Sequence, residues 1–496
     1  RLGEVLALNI SDVDINSNTI RVSKILTHDE NHKPYIHESS LSQTKDGARL
    51  VQINDVFKNN VIDAIKIAEA NENNEENDEP NTPGNESGAE EDVLALTKSV
   101  YILTVGGSEQ LKIDFKENGQ TADVGLLTIS SKNTDFATVS NGTVSGVALG
   151  QTEISVSRGD TVLTVPVYVV EEATLEQVNS FDEQYINIYG RSYLSDGKLK
   201  LDHTTNGVDL FFKGETLSVT LKASANSYMR VFIDDDTEGR RLAVSIGTKS
   251  YVVAQGLEAG NHKIRIVKIT EMQDATWEVQ SFSAEGFFAA PAKSELKLEF
   301  IGDSITAGYG VLGKQSDQKT IMNSDASKTY AYLTAQKMNA DYSVIAWSGI
   351  CTKAPLWGPG MDVLYGDVSK SNTADYAFDF NPDVVVINLG TNDQAYLQQN
   401  SGYAQQFPVD YKDFLTFVRE KNPDAYIICL YGMMGKDTTI DSGIRTAVSE
   451  MNDTRIVYNP FTIYPDQNGG GWHPSSTAQK NWTELLVKYI NNTVLP

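Results

Sequence analysis

The chain has 496 residues, and that length predicts about three or four domains rather than a single core. Its formal net charge of −25 argues against nucleic acid as the main partner, and no stretch approaches the roughly 18 consecutive apolar residues of a membrane-spanning helix. These features suit a soluble acidic protein. The two cysteines, Cys351 and Cys429, are too few for a disulfide framework, so we expect both to be reduced and buried.

The beginning of the chain contains two segments of very different composition. Residues 1–70 are predicted to form a small α+β unit, with a helix near Glu4 and strands near residues 19–26 and 48–53. Residues 71–92 carry almost no apolar side chains and no aromatic ones, so they cannot bury enough surface to offset the entropy of ordering. We expect this second segment to be a disordered acidic linker.

The opening residues RLGEVLAL are similar to a helix in the catalytic domain of tyrosine recombinases (phage integrases). Arg1 and Lys45 stand at the positions of that family's first arginine and of the lysine in its β-hairpin. The later His-x-x-Arg box and the tyrosine nucleophile have no counterpart. The resemblance therefore implies a truncated fragment that neither cuts nor binds DNA, and the alternative is an unrelated small α+β segment. Because the sequence begins at Arg1, we expect residues to precede it, and the lack of a leader peptide says nothing about export.

Residues 93–171 contain short apolar runs that alternate with turn signals, a pattern typical of an antiparallel β-sandwich. The segment ATVSNGTVSG at residues 137–146 resembles the group-two bacterial Ig-like domain. This region offers no side chains suited to chemistry. We expect a spacer.

Residues 172–290 are again rich in strand patterns and predict a second β-sandwich, separated by turns at residues 234–236 and 258–261. The three consecutive aspartates at residues 234–236 raise the alternative of a calcium site. Adjacent acidic residues at a turn are more often simply solvated, so we expect no metal there.

From residue 291 to residue 496, strand-like runs alternate with helical patterns, as in a parallel sheet covered by helices. The predicted fold is therefore multidomain, with a C-terminal flavodoxin-like α/β/α domain, two all-β sandwiches before it and a small α+β fragment at the start. The apolar run at residues 384–387 is typical of a fully buried parallel strand.

Chemically capable residues follow the predicted strands of this last domain. The segment LEFIGDSITAGYG predicts a buried strand that leads directly into Ser304 at the start of a helix, where the side chain either acts as a nucleophile or merely caps the helix. Ser348–Gly349 and the segment GTND at residues 390–393 follow two further strands. His473 is the one histidine after residue 262, which makes it the natural base for Ser304.

Together these blocks resemble the SGNH (GDSL) hydrolase superfamily. The resemblance implies Ser304 as nucleophile, His473 as base, and an oxyanion hole made by the N–H groups of Ser304 and Gly349 and the side-chain amide of Asn392. It implies no cofactor and no metal.

One position departs from the pattern of that superfamily. Three residues before the catalytic histidine the superfamily usually has an aspartate, whereas this chain has Gly470. The nearest upstream carboxylate is Asp466, so either Asp466 folds back to the imidazole or a backbone carbonyl around residues 471–472 orients it. We predict the carbonyl, because the glycine-rich segment between Asp466 and His473 would lose much entropy in holding a charged partner.

The segment AWSG at residues 346–349, Trp472 beside the base and the preceding β-sandwich resemble carbohydrate esterase family two. That resemblance implies a jelly-roll N-terminal domain and removal of acetyl groups from plant polysaccharides such as xylan or glucomannan. It also implies Trp347, Trp472 and Asp393 as substrate-binding residues, with Trp357 as a weaker candidate. We expect an extracellular or cell-surface monomer.

Three alternatives stay open from the residues alone. The domain could act on acyl chains as a lipase or thioesterase, although no long apolar lid segment is visible. The chain could be an adhesive or carbohydrate-binding protein without activity, or its first 70 residues could act in DNA recombination. The polysaccharide and the sugar hydroxyl are not set by the sequence.

Overall fold

The computed structural model describes residues 93–496, except residues 99, 118–119, 172–174, 181, 235, 291–292 and 496, and only five short strands before them. The chain divides into two compact units, residues 1–88 and residues 89–496.

Within the first unit, the strands are β1 (Val13–Asp14), β2 (Thr19–Val22), β3 (Lys24–His28), β4 (Pro34–Glu38) and β5 (Arg49–Gln52). β1, β2 and β5 form an antiparallel sheet, and β3 pairs with β4 as a hairpin. These strands match the ones expected near residues 19–26 and 48–53. The predicted helix, the recombinase-like Arg1 and Lys45, and the linker at residues 71–92 lie outside the described residues, so these features stay predictions.

The first domain of the second unit is a small β-sandwich. Its core consists of side chains that alternate along the strands, as in β14, where every second residue from Thr152 to Val156 is buried. The last strand, β15, pairs antiparallel with β14 and parallel with β7. The strands are β6 (Val93–Leu96), β7 (Tyr101–Thr104), β8 (Ser108–Gln110), β9 (Ile113–Glu117), β10 (Gln120–Thr121), β11 (Thr128–Ser131), β12 (Ala137–Ser140), β13 (Thr143–Gly146), β14 (Gly150–Arg158) and β15 (Thr161–Val170).

The second domain is an eleven-stranded antiparallel β-structure around a separate apolar core. β21, with the sequence LSVTLKA, buries its leucine, valine and alanine side chains and leaves the residues between them less covered, which is the period of two that one buried sheet face requires. The strands are β16 (Leu175–Asn179), β17 (Asn187–Tyr189), β18 (Tyr193–Ser195), β19 (Lys198–Leu201), β20 (Gly207–Lys213), β21 (Leu217–Ala223), β22 (Ser227–Ile233), β23 (Arg240–Val244), β24 (Gly247–Ala254), β25 (Asn261–Lys268) and β26 (Trp277–Phe288). We call it the jelly-roll domain.

In the jelly-roll domain, Asp234 and Asp236 make hydrogen bonds to neighbouring residues of the same domain. Asp234 accepts from the backbone N–H of Lys263 and lies 2.9 Å from His262 Nδ1, while Asp236 accepts from the N–H groups of Glu238 and Gly239. No cluster of three or more metal-ligating side chains occurs in the described residues.

The C-terminal domain is a five-stranded parallel sheet with helices on its faces. The sheet order is β28-β27-β31-β32-β33, which is the flavodoxin-like order 2-1-3-4-5 within the domain. β31 is buried at all five positions, as its apolar run predicted. The strands of the sheet are β27 (Lys297–Gly302), β28 (Asp341–Ala346), β31 (Val384–Asn388), β32 (Tyr426–Leu430) and β33 (Ile456–Tyr458), and a separate hairpin contains β29 (Asp367–Ser369) and β30 (Asn372–Asp375).

The helices of this domain are α1 (Ser304–Ala307), α2 (Tyr330–Lys337), α3 (Met361–Gly366), α4 (Thr391–Gln399), α5 (Tyr403–Lys421), α6 (Thr438–Met451) and α7 (Ser476–Tyr489). None of the helices in the described part of the chain has the length and apolar character needed to cross a membrane. Cys351 and Cys429 are both buried and unpaired, as expected. The predicted fold class, two β-sandwiches followed by a parallel α/β domain, is confirmed.

The jelly-roll and α/β domains share their apolar cores. Tyr189, Val267 and Ile269 of the jelly-roll domain belong to the cluster on one face of the parallel sheet. Met272, from the loop between β25 and β26, belongs to the cluster on the other face. Because these jelly-roll side chains belong to the clusters on both faces of the sheet, the α/β domain has no complete core without them, whereas the jelly-roll domain also has a core of its own.

The Ig-like sandwich makes a smaller contact with the jelly-roll domain. Five buried apolar residues meet there, and the side-chain amide of Asn261 donates to the Ile102 carbonyl at 2.8 Å. The ion pair between Lys112 and Glu258 at this contact is exposed to solvent, so it adds little to stability. The five apolar residues are Val100, Ile102, Val170, Phe211 and Phe288.

Candidate active site

Ser304 lies where the interior strand β27 ends and the short helix α1 begins. Asp303 caps this helix, since its carboxylate accepts from the backbone N–H of Ile305 at 2.9 Å. The Ser304 side chain is nearly buried. The sequence allowed Ser304 to be the residue that caps the helix, but Asp303 has that role. The hydroxyl of Ser304 is therefore available to another partner.

That partner is His473, which stands in the turn before α7. Its Nε2 lies 2.7 Å from Ser304 Oγ, and its Nδ1 lies 2.9 Å from the backbone carbonyl oxygen of Gly471. A carbonyl can only accept, so Nδ1 must carry the proton and Nε2 is left to accept the proton of the serine hydroxyl. This is the tautomer that a general base requires.

Burial lowers the pKa of His473 to about 4; the Gly471 carbonyl opposes this shift, and the positive charge of Lys319 adds to it. The imidazole is therefore neutral over the mildly acidic and neutral pH range. The ring is also held in its plane by Tyr309, whose ring stacks on it with centroids 4.0 Å apart and an angle of 25°.

Asp466 does not contact the imidazole. Its carboxylate accepts instead from the backbone N–H groups of Ser475, at 2.9 Å, and of Asn468, at 3.1 Å, and from the Asn468 side chain. Asp466 thus closes the loop that carries His473, while the Gly471 carbonyl occupies the position of the third catalytic group. The geometry agrees with the carbonyl alternative, and the kinetic role of Asp466 stays a prediction.

The candidate oxyanion donors gather at the ends of neighbouring strands. Gly349 has φ of +86° in the turn after β28, and a Cβ at that position would come within 2.8 Å of the Trp357 ring. The side-chain amide nitrogen of Asn392 donates to the Ile350 carbonyl at 2.9 Å and approaches Asp303 at the long distance of 3.5 Å. The contact with Asp303 is at the limit of hydrogen-bond distance, so the second N–H is the one available to an oxyanion.

Asp393 is not at the surface, and the expectation that it binds substrate is wrong. Its carboxylate is fully buried and accepts from the backbone N–H and hydroxyl of Thr352 and from the hydroxyl of Tyr403. Successive residues of a helix are turned by about 100°, so Asp393 faces the core when Asn392 faces the cleft. Burial raises the pKa of Asp393 to about 6, against the hydrogen bonds from Tyr403 and Thr352.

The carboxyl group of Asp303 is fully buried as well. Burial raises its pKa to about 7; the N–H of Ile305 opposes the shift, and the charge of Asp393 adds to it. These two carboxyl groups form the polar floor beneath Asn392, and neither reaches solvent.

The tryptophans differ in their placement. Trp347 is partly buried and packs on the α/β core, which fits a structural side chain better than a sugar platform. Trp472 is 56% exposed beside the base, and Trp357 is 78% exposed against Gly349. The exposed indoles that flank the catalytic groups are therefore Trp472 and Trp357, and their role in substrate binding stays a prediction.

Three residues near the site were not foreseen from the sequence. Tyr309 stacks on His473, Lys319 lies 5.4 Å from the centre of the Tyr309 ring, and Glu271 of the jelly-roll domain accepts from the backbone N–H of Ser348 at 3.1 Å. Tyr309 follows the nucleophile by five positions, a closeness that could have marked it. No sequence signal connects Glu271 to the site.

The comparisons with known proteins agree with these domains. Residues 300–479 match the GDSL-like Lipase/Acylhydrolase family, residues 188–291 match the carbohydrate esterase 2 N-terminal domain, and residues 93–169 match the bacterial Ig-like domain (group 2).

Similar proteins cover the jelly-roll and α/β domains. A cellulase/esterase, CelE, from Acetivibrio thermocellus is 32% identical over 58% of this chain, which spans 37% of that protein's length. An acetylxylan esterase / glucomannan deacetylase from Cellvibrio japonicus is 24% identical over 56% of this chain and 81% of its own. A solved family two carbohydrate esterase from Clostridium thermocellum, in complex with cellohexaose, is 30% identical, with a TM-score of 0.58 over 62% of this chain and 99% of its own.

Fold and site together thus define a GDSL (SGNH) ester hydrolase, with a serine and a histidine at the carboxyl edge of a parallel sheet. Within that class the chain belongs to carbohydrate esterase family two, since its jelly-roll domain matches the N-terminal domain of that family and nearly the whole solved relative is covered.

Proposed function

We propose that the protein is a serine esterase that removes O-acetyl groups from a polysaccharide of the xylan or glucomannan type through an acetyl-enzyme. The observation that carries the proposal is the 2.7 Å contact between Ser304 Oγ and His473 Nε2, with the imidazole tautomer set by Gly471. A carbohydrate-binding module without activity does not need a buried imidazole within hydrogen-bond distance of a serine hydroxyl. The contact therefore favours an active esterase over a binding module.

In the first half-reaction, Ser304 Oγ attacks the acetyl carbonyl carbon while its proton passes to His473 Nε2. The negative charge that develops on the carbonyl oxygen is stabilised by the N–H groups of Ser304 and Gly349 and by the Asn392 amide. The bond from the carbonyl carbon to the sugar oxygen then breaks, and the imidazolium returns its proton to that oxygen. The sugar leaves with a free hydroxyl, and the acetyl group stays on Ser304.

The second half-reaction repeats these steps with water. His473 takes a proton from the water as its oxygen attacks the acetyl carbon, and the same donors hold the oxyanion. The bond to Ser304 Oγ breaks, the serine recovers its proton from His473, and acetate leaves. The carbonyl of Gly471 fixes the imidazole through both halves but adds no negative charge opposite the imidazolium.

The exposed indoles support a carbohydrate substrate. Trp472 and Trp357 flank the catalytic groups, and flat aromatic faces suit the apolar faces of pyranose rings. The Cellvibrio relative is an acetylxylan esterase / glucomannan deacetylase, and the Clostridium relative was solved with cellohexaose. Because such polymers lie outside the cell, we propose that the protein works there, with the Ig-like domain as a spacer.

The proposal is tested by measuring acetate release from acetylated xylan, acetylated glucomannan and an aryl acetate, with the full chain and its Ser304→Ala variant. We expect release from at least one glycan and a loss of about 10⁴-fold or more in the variant, with unchanged circular dichroism. EDTA should leave the rate unchanged, because the serine and histidine supply the nucleophile. A variant that keeps substantial turnover, or strong inhibition by EDTA, would contradict the mechanism.

A further inference from the structure

The loop between β25 and β26 of the jelly-roll domain reaches into the α/β domain beside the active site. Met272 of this loop is buried in the α/β core, and the Ile269 carbonyl accepts from the backbone N–H of Ala326 at 3.0 Å. The ammonium group of Lys268 donates to the Thr270 carbonyl at 2.7 Å from beneath. The loop is therefore fixed on both sides of Glu271.

The Glu271 carboxylate is 1% exposed and contacts two parts of the α/β domain. Its Oε2 accepts from the Ser348 N–H at 3.1 Å and from the Gln273 side chain at 2.9 Å. Its Oε1 lies 3.0 Å from Lys319 Nζ. A carboxylate taken this far from water is costly unless it is paired. Here Oε2 accepts two hydrogen bonds, whereas Oε1 accepts none and is stabilised by the ion pair with Lys319 alone.

The first contact reaches the oxyanion hole. Ser348 immediately precedes Gly349, whose N–H is the candidate oxyanion donor, and the turn that carries both has a glycine at positive φ. Holding the Ser348 N–H against a fixed carboxylate anchors the peptide unit before the one that carries the Gly349 N–H, and so restricts the movement of this turn. An oxyanion donor is effective only when its direction is set before the charge develops.

The second contact reaches the base. Lys319 also pairs with Asp274 of the same loop at 2.9 Å, and its ammonium group lies over the Tyr309 ring that stacks on His473. The two jelly-roll carboxylates thus hold a lysine, the lysine packs on a tyrosine, and the tyrosine packs on the imidazole. This arrangement supports the ring of a histidine that lacks a carboxylate partner.

We propose that Glu271 is a positioning residue of the esterase site, contributed by the jelly-roll domain, that fixes the oxyanion turn with one oxygen and the base-supporting Lys319 with the other. The inference rests on the proposed esterase activity. It makes the active site composite: the α/β domain holds the reacting groups, and the jelly-roll domain holds two of them in place.

The test uses the full chain, the single variants Glu271→Ala, Glu271→Gln and Lys319→Met, the double variant Glu271→Ala/Lys319→Met, and the control Glu278→Ala. Glu278 is another jelly-roll carboxylate paired with lysines, but Lys198 and Lys200 belong to its own domain. With an aryl acetate we expect Glu271→Ala to lower kcat roughly 10–100-fold with KM nearly unchanged, because a misplacement of about 1 Å can cost about 10²-fold in rate. The control should match the unsubstituted chain.

The isosteric Glu271→Gln keeps an oxygen for the Ser348 N–H but loses the charge opposite Lys319, so its kcat should fall between those of the unsubstituted chain and Glu271→Ala. The loss in the double variant Glu271→Ala/Lys319→Met should be smaller than the product of the single losses, because the two residues act partly through one contact. If Glu271→Ala fails to fold, as judged by thermal melting, Glu271→Gln decides. A kcat for Glu271→Gln within about twofold of the unsubstituted value would overturn the proposal.

A second measurement separates this inference from the proposed substrate. A fluorophosphonate probe reacts with an activated serine and places its phosphoryl oxygen in the oxyanion hole, with no sugar involved. Slower phosphonylation in Glu271→Ala supports the positioning role even if no glycan is deacetylated. Equal phosphonylation rates in Glu271→Ala and the unsubstituted chain would overturn the positioning role, even if the chain deacetylates a glycan.

Discussion

The two β-sandwiches that precede the α/β domain differ in how they are attached to the rest of the chain. The jelly-roll domain shares buried clusters with both faces of the parallel sheet and places Glu271 next to the active site. In the described residues, the Ig-like domain contacts the jelly-roll domain through a five-residue apolar cluster, a hydrogen bond from Asn261 and an exposed ion pair. Similar architecture therefore does not mean a similar attachment: the first of these domains completes the buried clusters of the α/β domain, whereas the spacer role of the Ig-like domain stays a prediction.

The largest effect should follow from removal of both sandwiches. A chain that begins at residue 293 exposes the apolar surface that Val267, Ile269 and Met272 cover, and it lacks Glu271. We expect it to be insoluble or without measurable activity on an aryl acetate, and soluble expression and circular dichroism would show which. If the α/β domain alone were folded and fully active, the jelly-roll domain would be as dispensable for activity as the Ig-like domain is expected to be.

The shared core can be tested with Met272→Ala. Removing a buried methionine side chain leaves a cavity, so we expect the free energy of unfolding to fall by about 2–5 kcal/mol, measured by denaturant titration. The control is Leu194→Ala in the same domain, where the side chain is 56% exposed and the change should be within about 0.5 kcal/mol. Equal effects of the two substitutions would contradict a shared core.

A smaller effect is expected for Asp466→Ala. Asp466 holds the loop around His473 but does not touch the imidazole, so kcat should fall about tenfold or less, whereas loss of a true triad aspartate costs on the order of 10⁴. Steady-state kinetics with an aryl acetate gives the value. A loss of kcat on the order of 10⁴ in a folded variant would make Asp466 the third catalytic residue. His473 would then depend less on the support that Glu271 gives through Lys319.

The pH profile should change little between neutral and mildly acidic conditions. His473 acts as a base only when neutral, and its pKa is lowered to about 4, so kcat/KM should be flat from neutral pH downward and decline as the pH falls through that value. An acid limb at the ordinary histidine pKa of about 6.5 would show that the imidazole is less buried than its contacts indicate.

The smallest effect is expected for removal of the Ig-like domain and everything before it. A chain that begins near Leu175 retains the jelly-roll domain, Glu271 and every catalytic group, so its activity on small esters should equal that of the full chain. A marked loss of activity in the folded fragment would show that the Ig-like domain also contributes to the site.

The reacting groups could be located from the sequence because each of them follows a strand of the parallel sheet or precedes the last helix of the α/β domain. The residues Ser304, Gly349 and Asn392 are placed by backbone topology, which the apolar pattern of the strands reveals. Asp393 was misjudged because a motif gives positions along the chain, whereas the side a helical residue faces depends on the packing of that helix.

The supporting residues could not be found in the same way. Glu271 and Ser348 are 77 positions apart in different domains, and the chain carries many acidic residues that could have been chosen in place of Glu271. Their contact depends on how the jelly-roll domain packs on the sheet edge. Trp357 and Trp347 could not be ranked either, because exposure is a property of the packed molecule and not of the local sequence.

The turn before His473 holds a bulky residue in a conformation that normally suits glycine. Gly471 has φ of +63°, and Trp472 follows it with φ of +64°. A left-handed conformation costs a non-glycine residue roughly 1–2 kcal/mol. Two such residues in succession turn the chain tightly enough to point the Gly471 carbonyl back at the imidazole two positions later. The same backbone conformation that orients the base also leaves the Trp472 indole 56% exposed, so one turn sets both the hydrogen bond at His473 Nδ1 and the exposure of the indole beside it.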